Sequence, residues 1–399
     1  MAEAIDQDNK THLRGVIRGV DIELLTDTAS ALGRITNACR DARSSIWIAQ
    51  LAFDADCTAM APAHRSPETL LDVILRSAHG PQANGMGADV RILLNSSILL
   101  DTTPALRCAI RDSDSRANRG ADAAAGRRLE IRGMDAFPQV MHAKMAVIDG
   151  CEAYLMGASF VHGYWDAGRH YPAGSADIPA GCGDRPMHDV AIRLTGGVAA
   201  ELARWFCDTW VAAGGAPLTD TAPLRPLPVD TSTGRVRVGQ SSVRVVRTTP
   251  AGMLGGVPAG ETQILEEYLD AITEARSFIY MENQYFSARP IATALRDALQ
   301  ARRDLEVILL LNQNPDITGY RAWQDDRLAT EGLLTHERVG VFAPWSVTPS
   351  LTAPESIELT QLFIHSKVAV IDDEWLTLGT ANLDGASLHS YGDDFIHWP

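Results

Sequence analysis

Residues Met141 to Asp149 read MHAKMAVID, and residues Ile364 to Asp372 read IHSKVAVID. Both carry the spacing H-x-K-x-x-x-x-D inside an apolar run, and the two histidines lie 223 residues apart. The chain has 399 residues but only three lysines, Lys10, Lys144 and Lys367, and uses arginine for nearly every other cation. A lysine placed twice at one offset from a histidine asks for a compact ammonium on a flexible stem, which a planar guanidinium does not replace. Side chains of a strand alternate between faces, so His142 and Lys144 point the same way, as do His365 and Lys367. Asp149 and Asp372 complete the motif on the opposite parity, at turns. Their parity predicts that they support the structure more than they act on a ligand.

The repeat extends beyond the motif. Ala38 to Phe53 (ACRDARSSIWIAQLAF) parallels Ala271 to Phe286 (AITEARSFIYMENQYF), and Ala88 to Asn95 (ADVRILLN) parallels Leu305 to Asn312 (LEVILLLN). Each pair is a helical stretch leading to a buried strand. The motif strands follow, each trailed by a second strand, Glu152 to Gly157 and Glu374 to Gly379. The offsets of 233, 217 and 223 differ by loop lengths around a shared core, which indicates duplicated domains and not a solenoid. Strands alternating with helical patterns predict an α/β architecture of two similar mixed-sheet halves. The expected division is residues 13–213, a linker over 214–240, and 241–399. Arg111 to Gly126 reads as a polar loop, and Ala167 to Pro186 as a long irregular insertion.

Hydrophobic residues at 46% and charged residues at 21% are an ordinary globular mix. The net charge of -15 argues against a long phosphate-neutralising surface, so no nucleic-acid partner is expected. The six cysteines lack metal-ligand spacing and read as free thiols. Met1 to Lys10 is polar, without the apolar segment of a signal peptide, and no run approaches the length of a membrane span. These features fit a cytoplasmic protein, or one exported without a cleaved leader, with at most peripheral membrane contact. Oligomeric state is not legible.

Two histidines and two lysines brought together by pseudo-twofold symmetry suit phosphoryl transfer on a diester. One imidazole attacks phosphorus to form a covalent intermediate, and the other protonates the leaving oxygen and then activates water or an alcohol. Two lysines clamp the non-bridging oxygens. Fixed cations supply the electrostatics, so no metal or other cofactor is expected.

The paired motifs resemble the phospholipase D superfamily, over about residues 43–382. The resemblance implies His142 as nucleophile, His365 as general acid and base, and a catalytic set of His142, Lys144, Asp149, His365, Lys367 and Asp372. Gly379-Thr380-Ala381-Asn382 resembles the family's G-[ST]-x-N, which makes Asn382 a donor beside the phosphate; Ser159 holds the matching place in the first half. Pro186 to Leu194 is similar to the strand whose acidic residue orients the nucleophile, which assigns Asp189 that role. Ile279 to Phe286 (IYMENQYF) is similar to a segment of plant-type and related bacterial phospholipases D, with Glu282, Asn283 and Gln284 as supporting groups. The implied substrate is a glycerophospholipid at a membrane surface, hydrolysed or transphosphatidylated. Val161 to Trp165 and Val341 to Trp345 are candidate membrane-facing loops. A superfamily nuclease and a catalytically impaired duplicate with an interaction role are the alternatives. Chains of this family usually continue past the point where this one ends, 27 residues after Asp372, so the second half is expected to be incomplete. Asp393 and Asp394 are then the late acidic candidates to partner His365.

Overall fold

The computed structural model describes residues 15–58, 68–79, 87–98, 100–116, 128–137, 139–168, 170, 186–218, 241–349 and 355–388. In the first half the principal strands are β1 (Ile22–Leu25), β2 (Ser45–Gln50), β3 (Asp89–Ser97), β4 (Leu129–Met134), β5 (Lys144–Ile148), β6 (Glu152–Met156), β7 (Met187–His188) and β8 (Ala191–Thr195). In the second they are β9 (Phe278–Asn283), β10 (Glu306–Leu311), β11 (Val339–Phe342), β12 (Trp345–Pro349), β13 (Ile357–Gln361), β14 (Phe363–Ile364), β15 (Lys367–Ile371) and β16 (Trp375–Leu378).

The two main sheets share one wiring. In the first half β5 lies between β6 and β2, antiparallel to both, and β2, β3 and β4 run parallel. In the second, β15 lies between β16 and β9, antiparallel to both, and β9, β10 and β11 run parallel. The architecture is therefore two similar mixed-sheet α/β halves.

Helix packing follows from apolar spacing. In the first half α1 (Thr28–Asp41) turns Leu32, Ile35 and Cys39 onto Ile46 and Ile48, and α2 (Leu70–His79) adds Ile74 and Leu75. The opposite face is covered by α3 (Gly197–Ala212), whose Phe206 stacks on Trp47 at 5.6 Å between ring centroids. In the second half α4 (Gln263–Glu274) and α5 (Arg289–Ala301) pack Ile272, Ile291, Leu295 and Leu299 against Ile279, Met281 and Leu309.

The motif aspartates close the strands. Asp149 Oδ1 and Oδ2 accept the backbone amides of Arg43, Ser44 and Ser45. Asp372 does the same for Arg276, Ser277 and Phe278. Both adopt left-handed backbone, φ 52° and 53°, which aspartate tolerates better than most residues. Five strand residues at ~3.3 Å each place these carboxylates roughly 17 Å from the lysines. The reading of Asp149 and Asp372 as members of the catalytic set is corrected accordingly: each is a clasp tying the strand end to the start of its neighbour.

Other expectations change in detail. The segment read as a loop from Arg111 is helical through Arg116, within the helix Thr103–Arg116. Ser241–Val243 returns to the first half and pairs with Ile17–Val20. Most of the 214–240 linker, most of the 167–186 insertion, and Asp393 and Asp394 lie outside the described residues. The five described cysteines are free thiols.

Burial pushes the Asp372 carboxyl up, but the amides of Phe278, Ser277 and Arg276 outweigh that and hold it below the ordinary aspartate value. Its stabilisation is then present at neutral pH and is lost as pH falls through that lowered value. We expect Asp149→Ala and Asp372→Ala each to cost ~2 kcal/mol in urea unfolding. The Asp372→Ala difference should shrink on acidification, whereas an effect confined to activity would contradict the clasp role.

Candidate active site

Each motif histidine sits just before its strand, and one buried asparagine holds each approach. Asn95, at β3, accepts the Met141 amide at 2.9 Å and donates to the Leu100 carbonyl at 2.5 Å. Asn312, just past β10, accepts the Ile364 amide at 2.8 Å and donates to the carbonyls of Ile364 and Gln284. Both side chains are 0% exposed, and each fixes the residue preceding a motif histidine. These are the residues that end the repeated ADVRILLN and LEVILLLN segments.

The halves are spliced by a two-residue parallel pairing of β7 with β14. The His188 carbonyl accepts the amides of His365 at 2.8 Å and Ser366 at 3.2 Å. His188 Nε2 lies 3.4 Å from Glu282 Oε1, and Tyr280 donates to the other Glu282 oxygen at 2.7 Å. Gly157 permits the approach: a Cβ there would meet Asp189 Oδ1 at 2.2 Å and the His365 carbonyl at 2.6 Å. Tyr164 of the first half stands over His365 of the second, with ring centroids 4.9 Å apart.

His142, Lys144, His365 and Lys367 lie within one another's electrostatic reach. Burial pulls the His142 imidazole well below its ordinary pKa; Lys144 and Lys367 add to this, while the Thr380 backbone opposes it. His365 is pulled down by burial, then by Lys367, Lys144 and His142. Burial also lowers both lysines; Lys367 lowers Lys144 further, and Asp189 opposes the shift at each. Asp189 is itself raised by burial, with Lys367 as the leading opposing influence.

The two imidazoles differ in their partners. The Lys367 ammonium donates to Gln284 Oε1 at 2.8 Å, His365 Nδ1 at 3.2 Å and the His365 carbonyl at 2.5 Å, three acceptors for its three N–H bonds. With Lys367 charged, Nδ1 of His365 accepts and the ring proton resides on Nε2. His142 and Thr380 of the second half line the same cavity, and the buried Nδ1 of His142 has no hydrogen-bond partner among the described residues.

Lys144 donates to the His142 carbonyl at 3.1 Å. No second bond of its ammonium is found among the described residues, so two N–H groups remain for a ligand. The offset of 233 explains the asymmetry: Gln284 of the second half corresponds to Leu51 of the first. His142, Lys144 and Lys367 open onto a cavity of about 670 Å³ between the halves. Its other walls include Met145, Leu155, Leu202, Val243, Met253, Ile264 and Leu378.

Ser159 and Asn382 are buried, and Ser159 Oγ and Asn382 Oδ1 have no hydrogen-bond partner among the described residues. Asp189 is buried as well. Its Oδ2 accepts the Ala158 amide at 2.6 Å, its Oδ1 is unpartnered, and Lys367 is its leading counter-charge. No hydrogen bond joins it to His142 among the described residues. Of the expected membrane loops, Val161 to Trp165 is instead a wall of the site, with Trp165 buried.

Gln50 escaped notice in the sequence. It pairs with Lys144 in register as Asn283 pairs with Lys367, is 0% exposed, and leaves both amide atoms unpartnered. The 233 offset that aligns Gln50 with Asn283 was the available signal.

Lysines whose pKa is lowered on folding bind more protons in the unfolded chain, so the ligand-free protein gains stability as pH rises. We expect the urea midpoint of the wild type to rise between about pH 7 and about pH 9 relative to that of Lys144→Met/Lys367→Met. Parallel midpoints over that range would show that the lysines are not buried together.

The model of the family described as "Cardiolipin synthase, PLD-like domain" matches residues 268–396. The cardiolipin synthase of Geobacillus kaustophilus (strain HTA426) is 24% identical over 252 residues, covering 62% of this chain and 40% of that protein. Phospholipase D2 of Bos taurus is 25% identical over 244 residues, covering 51% of this chain and 26% of that protein. The chain thus spans less than half the length of these two relatives. The crystal structure of phosphatidylserine synthase from Haemophilus influenzae Rd KW20 superposes with a TM-score of 0.55 at 15% identity, over 96% of this chain and 84% of that one. At this identity the superposition speaks for the fold alone. The relatives do not single out the plant-type branch. Among the described residues no helix is long and apolar enough to cross a membrane. Its duplicated fold, its paired motifs and these likenesses are those of the phospholipase D superfamily.

Proposed function

We propose that the chain is a phosphodiesterase acting on glycerophospholipids by hydrolysis or transphosphatidylation, with a phosphohistidine intermediate on His142. The observation that carries this reading is the mutual field of His142, Lys144, His365 and Lys367 across the two halves. A ring nitrogen of His142 attacks phosphorus, an N–P bond forms, and the P–O bond to the head-group alcohol breaks. The leaving oxygen takes the proton from Nε2 of His365. Water or a second alcohol then gives its proton to His365, attacks phosphorus and releases His142. The lysines meet the non-bridging oxygens as charge accumulates, and an anion between them restores the protonation that burial opposes. The Lys367 contact on Nδ1 of His365, at 3.2 Å, supports this division of labour by leaving Nε2 to face the leaving group.

The apolar walls of the cavity beside Lys144 and Lys367 favour a substrate that joins a phosphodiester to hydrocarbon. The net charge of -15 weighs against a nucleic-acid backbone. The lipid-related names of the relatives point the same way. The proposed steps use fixed cations, so turnover is expected in the presence of a chelator.

With phosphatidylcholine or phosphatidylethanolamine, head-group release should proceed in EDTA and fall by at least ~10³-fold in His142→Ala. Because an N–P bond is acid-labile, quenching in denaturant at alkaline pH should retain phosphorus on His142; an adduct on His365 would reverse the roles. Lys144→Ala/Lys367→Ala should lose ~10²-fold or more, and undiminished turnover would remove the clamp. Asn312→Ala should lower kcat by ~10-fold or more with little change in KM, because it loosens the approach to His365 without touching substrate. A change in KM alone would contradict that positioning role.

A further inference from the structure

The hairpin β12–β13 presents one apolar face to solvent. Val347 is directly opposite Leu359, and Trp345 opposite Gln361, so Trp345, Val347, Ile357 and Leu359 share a side of the ribbon. Their exposures are 43%, 58%, 66% and 61%, and neighbouring Phe342 is 55% exposed. Exposed apolar residues scattered singly are ordinary, whereas four grouped on one small element, with Phe342 three residues before it, are not.

The hairpin is anchored to the catalytic apparatus. On its other face Ser346 Oγ donates to the His170 carbonyl of the first half at 2.8 Å. At its base Gln361 Oε1 accepts from the Asn314 amide at 3.0 Å, and the Leu362 amide donates to the Pro344 carbonyl at 3.0 Å. From Gln361 the chain passes directly through β14 into His365. The five-residue strands reach roughly 17 Å from this base.

We propose that this apolar ribbon inserts into the interface of a neutral phospholipid bilayer and sets the mouth of the active site against it. The inference rests on the phospholipid reading of the same site. Five side chains exposed to this degree offer roughly 400 Å², well short of the ~800 Å² that each partner contributes to a stable protein complex. A lipid interface needs no shape complementarity. Along the ribbon Trp345 lies nearest the base and the aliphatic side chains lie beyond it, the order in which an aromatic belt and a hydrocarbon layer accept them. With a net charge of -15 the chain is repelled by anionic surfaces, so apolar insertion drives the docking.

The test pairs sedimentation with phosphatidylcholine vesicles and turnover of a monomeric short-chain phosphatidylcholine below its micellar concentration. Val347→Asp/Leu359→Asp, on exposed positions, should reduce vesicle binding at least ~10-fold and vesicle turnover in parallel, while monomer turnover is unchanged. Wild-type binding should survive high salt. Unchanged vesicle binding in the variant, binding abolished by salt, equal loss on monomeric lipid, or conversion of a wild-type dimer to monomer would each overturn the proposal. Wild-type protein that binds vesicles through this face but turns over neither lipid would uphold the docking and sink the phospholipase reading. Turnover of monomeric lipid without vesicle binding would do the reverse.

Discussion

Two ammonium groups buried beside each other are the constraint around which this molecule is arranged. Desolvation and mutual repulsion both oppose the charged form of Lys144 and Lys367. The fold answers with the Asp189 carboxylate and with acceptors placed on Lys367. It also leaves unpartnered polar atoms at Gln50, Ser159 and Asn382. An anion between the lysines would offset both penalties. Asparagines at the strand ends, aspartate clasps at the far ends and the β7–β14 splice hold both lysines in place against that repulsion.

The duplication makes the two halves alike in wiring but not in chemistry. One substitution between the repeats, Gln284 against Leu51, saturates Lys367 with acceptors and leaves Lys144 open. The imidazoles diverge with them: Nδ1 of His365 lies 3.2 Å from Lys367 Nζ, whereas Nδ1 of His142 has no hydrogen-bond partner among the described residues. The proposed direction of phosphoryl transfer would then come from the neighbours, with the motif residues unchanged.

Much of this was legible before any coordinates. The repeat of His and Lys at one offset announced the duplication, and period-two alternation separated Asp149 and Asp372 from the histidines. What stayed hidden was contact across the halves. A two-residue strand such as Met187–His188 has no periodic signature, so nothing in the sequence shows that Lys367 is the leading counter-charge of Asp189. Tyr164 sits in a loop whose partner is 201 residues away, and its place over His365 follows from the docking of the halves. Gln50 looked like an ordinary strand residue because only its alignment with Asn283 marks it. The exposed face of β12–β13 was half visible: Val341 to Trp345 stood out as aromatic, whereas pairing with Ile357 and Leu359 needed the register.

The central claim is that both lysines serve one tetrahedral anion. Calorimetric titration of the ligand-free chain with tungstate addresses it most directly. One anion per chain should bind, and Lys144→Met and Lys367→Met should each remove that binding. Two anions per chain, with each variant retaining one at undiminished affinity, would show two separate half-sites and contradict the account.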